Sequence, residues 1–144
     1  MKCSYDATKI ESGVPGIVIL SHGPLALGLK ESSSMIFGET TNFAAFSLEY
    51  GDDVTKYADT FIQAIESYGR NVLIMVDLFG GTPCNQLLIY AKKNNLKFNL
   101  LSGANLPMVI SALTLRPSFK NADDLKNAVC MDINEYVKDI SEFC

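Results

Sequence analysis

The chain holds one histidine, His22, in the stretch ILSHGPLALG, between an apolar run and a Gly-Pro break. An imidazole in such a place can serve as nucleophile or general base, because one ring nitrogen carries a lone pair while the other donates a hydrogen bond. A carboxylate beside it would fix the tautomer and stabilise the positive charge formed when the free nitrogen attacks or takes a proton. The candidate is Asp77, which closes the apolar run NVLIMVD. Soon after comes GGTP: Gly80 and Gly81 let backbone approach closely, and Thr82 and Pro83 suit the cap and first turn of a helix. A helix N-terminus offers unpaired N–H groups and favourable dipole polarity to an anion such as a phosphoryl group. Amides of this kind would stabilise a phosphate on His22 without locking it as a fixed positive charge would, which suits a relay more than a store. Ser21 points to the opposite strand face from His22, and there is no G-x-S-x-G elbow, so a hydrolase triad lacks its serine.

Each of these residues has a plainer reading. A lone histidine after a strand is more often a satisfied structural residue than a catalyst. Asp77 alone can cap its own turn, and glycine pairs mark tight turns that touch no ligand. Met75 and Met108 lie within apolar runs and read as core. What favours chemistry at His22 is position, which depends on the elements around it.

VPGIVIL, from Val14, is a short β-branched run that fits a strand buried on both faces and ends at Ser21-His22-Gly23. Leu25, Leu29, Ser32 and Ile36 then follow at helical spacing to Gly38. FAAFSLE reads as a second strand ending at Glu49, followed by a helix capped by Asp52 with Tyr57, Phe61, Ala64 and Ile65 on one face. NVLIMVD and the GGTP helix form the third pair. KFNLLSG and a helix capped by Asn105 form the fourth. Leu125, Val129, Ile133 and Val137 mark a final helix within residues 121–143. Strands alternating with helices predict an α/β fold: an open, doubly wound, mainly parallel sheet with helices on both faces, a three-layer arrangement. Flavodoxin-like winding sets the first and third of these strands side by side, so His22 and Asp77 become neighbours at the carboxyl edge, where ligands collect.

The bulk numbers narrow the function classes. With 144 residues and no sharp shift of composition, one domain over residues 14–144 is expected, preceded by a loose polar tail over residues 1–13. A net charge of −4 without basic runs gives no footprint for nucleic acid or anionic lipid. No apolar run approaches the roughly 20 residues that cross a bilayer, and the N-terminus lacks a signal-peptide core, so a cytoplasmic location is expected. Cys3, Cys84, Cys130 and Cys144 share no C-x-x-C spacing, so neither a metal site nor a disulfide framework is expected.

Taken together, IVILSHGPLALGL, MVDLFGGTPCNQ and LLSGANLPMV resemble the IIA domain of the mannose class in the bacterial phosphoenolpyruvate-dependent sugar phosphotransferase system. The resemblance covers roughly residues 14 to 115. It implies a phosphotransferase in the relay sense, with no cofactor. His22 takes a phosphoryl group from the phosphocarrier protein HPr and passes it to a IIB partner, which serves the membrane components IIC and IID. It further implies that Asp77 orients the imidazole so that Nε2 is phosphorylated, that Gly80, Gly81 and Thr82 hold the phosphoryl group, and that Ser21, Gly23, Phe79 and Asn105 support the site or meet partners. Strand order 2-1-3-4 and a homodimer are implied as well.

Cys84 stands where phenylalanine is common in that family, Phe79 where some members have tryptophan, and about a dozen residues precede the first strand. Some members exchange a terminal edge strand between subunits, whereas residues 121–144 here read as helical. The chain ends at Cys144 without a Pro- or Ala-rich linker, from which a separate IIB protein is expected. Three other readings compete. The phosphocarrier domain of a dihydroxyacetone-type kinase also places a histidine after its first strand. A flavodoxin-like module binding a phosphate-bearing ligand would lack the hydroxyl-rich loop that a flavin expects. A receiver domain needs an acidic pair where Ser21-His22-Gly23 stands. The sugar itself is not legible, because a IIA domain never touches it.

Overall fold

Residues Gly16–Ser21 and Val72–Val76 are buried throughout, as strands that are apolar on both faces must be. In the computed structural model, which describes residues 1–132 and 136–144, they form the centre of a five-stranded sheet. The strands are β1 (Lys2–Ser4), β2 (Gly16–His22), β3 (Phe43–Leu48), β4 (Val72–Val76) and β5 (Asn99–Ser102). The helices are α1 (Leu25–Phe37), α2 (Val54–Ser67), α3 (Thr82–Lys93), α4 (Leu106–Leu115) and α5 (Ala122–Asp132). Spatial order is β1-β3-β2-β4-β5, with β2 to β5 parallel and β1 antiparallel at the edge. Without β1, the parallel strands run 2-1-3-4, the flavodoxin-like order.

Strand alternation sorts the core into two slabs. Val18, Leu20, Ala44, Phe46, Ile74 and Val76 face Tyr57, Phe61 and Ile65 of α2 and Leu87 of α3. Ile17, Ile19, Ala45, Leu73 and Met75 face Ala26 and Leu29 of α1, Val109 and Ala112 of α4, and Leu125 and Val129 of α5. Each large aliphatic or phenyl group taken fully out of water contributes about 1.5–3 kcal/mol. Both slabs therefore hold the carboxyl edge of the sheet rigid. Among the described residues no helix is long and apolar enough to cross a membrane.

Local chemistry moves several boundaries. The first residues, expected as a loose tail, include β1, with Lys2, Cys3 and Ser4 paired to Ser47, Phe46 and Ala45. The tail is held because Tyr5 packs edge-on to Tyr68 and its hydroxyl bonds to Ser67 Oγ at 2.7 Å. The buried side of α1 is Ala26, Leu29 and Ser33, while Leu25 and Ile36 are exposed. Ser21 Oγ accepts the Ala26 N–H at 2.7 Å and so turns Ala26 onto the sheet. The cap of α2 is Asp53, whose Oδ1 takes the Thr55 and Lys56 N–H groups; Asp52 closes the preceding turn by accepting from Glu49 N. Gly81, not Thr82, occupies the cap of α3, and Thr82 is its first residue. Asn105 caps α4 through Met108 N. The last helix is described over Ala122–Asp132, and Asp132 accepts from Ser111 Oγ on α4. Ile133 lies outside the described residues, and Val137 is exposed beyond α5.

Candidate active site

β2 has β3 on one side and β4 on the other, so its carboxyl end is the switch point of the winding. His22 is the last residue of β2. One ladder step beyond β4, Asp77 N donates to Leu20 O at 3.2 Å, which fixes the Asp77 backbone against β2. Its Oδ2 then accepts the His22 backbone N–H at 2.8 Å and lies 2.8 Å from His22 Nδ1, while Oδ1 accepts Leu78 N–H at 2.8 Å. The carboxylate side chain is 10% exposed and the imidazole 43%: the acid is fixed and the ring is open to a partner. A proton on Nδ1 pointing to Asp77 leaves the lone pair of Nε2 free on the solvent side.

Gly81 lies against the Cε1–Nε2 side of the ring. A Cβ built there would be 2.6 Å from His22 Cε1 and 3.4 Å from Nε2, so glycine is required by the approach of the imidazole. Gly80 turns the chain with φ of +80°, a left-handed conformation that glycine adopts without strain. Asn85 Nδ2 donates back to Gly80 O at 2.9 Å and pins that turn. The first backbone bond of α3 runs from Asn85 N to Gly81 O, so the N–H groups of Thr82 and Cys84 precede the helical ladder. Nε2 thus sits beside the positive end of a helix.

The remaining expected residues separate into distinct places. Ser21 is buried and its Oγ accepts the Ala26 N–H in the first turn of α1. Gly23, at φ +57°, donates its N–H to Leu48 O at 2.7 Å, joining the loop after β2 to the end of β3. Phe79 is 82% exposed beside an exposed Leu78. Asn105 is occupied with Met108 N and Gly103 O, so its side chain serves α4 and the loop before it.

Sequence reasoning missed Asn85, although an asparagine in the first turn of a helix after two glycines is a signal of back-bonding. It also missed Tyr57 below the site. That phenol is fully buried, donates to Phe46 O at 3.2 Å, and is pushed well above its usual range by burial and by the Asp77 charge. The imidazole opens onto a groove of about 430 Å³, lined by Gly23, Leu48, Glu49, Tyr50 and Asp52.

Residues 16–130 match the model of the EIIA-man family, described as the PTS system fructose IIA component. The chain belongs to that family. It is 33% identical over 117 residues to the fructose-specific EIIA component of the phosphotransferase system (PTS) of Bacillus subtilis, covering 80% of each protein. It is 32% identical over 97 residues to the sorbose-specific EIIA component of Lacticaseibacillus casei, covering 65% of this chain and 68% of that protein. Among solved structures, the phosphotransferase system component EIIA from Streptococcus agalactiae superposes with a TM-score of 0.80 at 26% identity, covering 88% of this chain and 98% of the other. EIIA components are phosphotransferase-type proteins that work in a phosphotransfer chain with a phosphocarrier and a IIB component. The segment matched by the EIIA-man model holds His22, Asp77, Gly81 and Asn85 and leaves out β1.

Proposed function

We propose that His22 is the phosphoryl acceptor of this EIIA component. Phospho-HPr donates the group, and a IIB component receives it for a sugar entering through IIC and IID of a mannose-class system. In this reading residues 14–144 act as one IIA domain, in the cytoplasm and as a homodimer. The observation that carries the reading is the bond from His22 Nδ1 to Asp77 Oδ2 at 2.8 Å, which turns Nε2 outward.

The lone pair of Nε2 attacks phosphorus as the P–N bond of the donor breaks, and the donor ring takes back its electron pair. The Nδ1 proton remains directed at Asp77, whose charge offsets the imidazolium character of the phosphorylated ring. N–H groups at the start of α3, beside Gly81, meet the phosphoryl oxygens. Transfer to IIB reverses these bonds. No proton leaves the site in either direction, so a near-balanced relay is kept.

Incubation with phosphoenolpyruvate, the first enzyme of the system and HPr is expected to add one acid-labile phosphate to this chain. The variant H22A is expected to take none. Labelling that persists in H22A would place the acceptor elsewhere.

A further inference from the structure

The groove that His22 shares with the end of β3 carries two carboxylates, Glu49 and Asp52. Leu48 lies beside His22 in the β2–β3 register, and Glu49 follows it directly. Glu49 and Asp52 line the groove together with His22, and Asp77 holds the ring from the β4 side. The first turns of α1 and α3, Leu25-Ala26-Leu27-Gly28 and Thr82-Pro83-Cys84-Asn85, contribute no charged side chain. One carboxylate, Asp77, thus holds the imidazole, and two more, Glu49 and Asp52, share its groove.

A cation for this groove comes from β1, which stands outside the segment shared with the family model. Lys2 Nζ is 3.2 Å from Glu49 Oε1, and the Met1 ammonium is 2.6 Å from Asp52 Oδ1 and 3.4 Å from Glu49 Oε2. Lys2 is the first cause holding the Glu49 carboxyl below its usual range. Several contacts keep β1 in the register that delivers Lys2 there. Lys30 Nζ donates to Ser4 O at 3.2 Å and to Ser4 Oγ at 2.9 Å, and Tyr5 is held by Tyr68 and Ser67. A slip of one residue would send every side chain of β1 to the other face of the sheet.

We propose that β1 is a positioning strand for the His22 groove: it seats Lys2 on Glu49, offsets the charge of that carboxylate in the groove it shares with the imidazole, and lowers the repulsion met by an incoming phosphoryl group. The inference rests on the phosphoryl-acceptor reading of His22, and it needs only Lys2 and the strand that carries it. Lys2 acts through Glu49 and touches no reacting atom.

Because His22 is the only histidine in the chain, its ring protons report its titration without ambiguity in NMR spectra of the full-length protein. At low salt K2A is expected to raise the His22 midpoint by up to roughly 0.3 pH unit, the effect of removing one charge about 10 Å away in water. E49Q is expected to lower it by a similar amount. K2R and the double variant K2A/E49Q are expected to restore it, and about 0.5 M salt to erase the differences. Phosphoryl acceptance should slow about two- to fivefold in K2A and recover in K2A/E49Q, in proportion to the same screened charge. A midpoint unmoved in K2A or in E49Q, or a slow K2A that E49Q does not rescue, would overturn the proposal. Failure of the acceptor reading would show instead as absent phosphorylation in the unaltered protein and leave the titration test intact.

Discussion

A single oxygen, Asp77 Oδ2, lies 2.8 Å from both the backbone nitrogen and Nδ1 of His22. The same carboxylate therefore sets where the strand end sits and which way its ring turns. In D77N one of these roles fails whichever way the amide is placed. With its oxygen toward His22 the charge is gone, and with its NH₂ there two donors face each other. Phosphoryl acceptance by D77N is expected to fall by about 10²- to 10⁴-fold, measured as the initial rate of labelling from phospho-HPr. A rate within a factor of about three of the unaltered protein would remove Asp77 from the account.

Gly80 and Gly81 are adjacent, and they should respond in opposite ways to alanine. Gly81 has an ordinary extended backbone, φ −73° and ψ 165°, so the main chain tolerates alanine, but the new methyl would meet His22 Cε1. G81A should keep its thermal midpoint within about 2 °C yet lose labelling rate by at least about tenfold as the ring is displaced. G80A places alanine at φ +80° with open space around its Cβ, and should lose about 1–2 kcal/mol of stability to backbone strain. Thermal melts and labelling rates on the two variants separate the effects.

The site was legible in the sequence as far as strand ends could carry it. GIVILSH and VLIMVD are buried apolar runs whose polar terminal residues must reach the carboxyl edge together once the winding is flavodoxin-like. The close approach of Gly81 to the ring was not legible, because it depends on the height of α3 above the sheet. Nor was β1: the three residues KCS carry too little pattern to outweigh a polar tail, and what holds them is tertiary, the ladder to β3, Tyr5 against Tyr68 and Lys30 against Ser4. The α1 face was misread for a similar reason. Ser21, the sixth residue of β2, reaches across to Ala26 and sets the helix rotation, which periodicity alone cannot reveal.

That same bond makes Ser21 a stability residue. Ser21 is buried and its Oγ accepts from Ala26 N. S21A should cost about 1–2 kcal/mol by leaving a helix N-terminus uncapped, a drop of roughly 3–6 °C in the thermal midpoint. Acceptance of phosphate should change far less than in D77N. A loss of labelling equal to that of D77N with an unchanged melt would assign Ser21 to the chemistry instead.

Alkaline stability should be governed by two buried phenols. Burial raises Tyr57 and Tyr68 above the usual 10.0, the Asp77 charge adding to the effect at Tyr57 and Tyr5 adding at Tyr68. Above about pH 10 the unfolded chain releases these protons while the folded chain keeps them. Stability is then fully present below that pH and falls as pH rises, by up to about 1.4 kcal/mol per pH unit for each group. Urea unfolding between pH 8 and 11 should show this decline, flattened in Y57F and again in the double variant Y57F/Y68F. An unchanged slope in both would contradict the assignment.

The central claim is that the phosphoryl group bonds to Nε2 of His22 while Nδ1 keeps its proton toward Asp77. Nitrogen-15 NMR of the histidine-labelled, phosphorylated protein tests it most directly, since one histidine gives one pair of ring nitrogens. The account predicts phosphorus coupling at Nε2 and a protonated Nδ1. Coupling at Nδ1, or ring signals unchanged by phosphorylation, would contradict it.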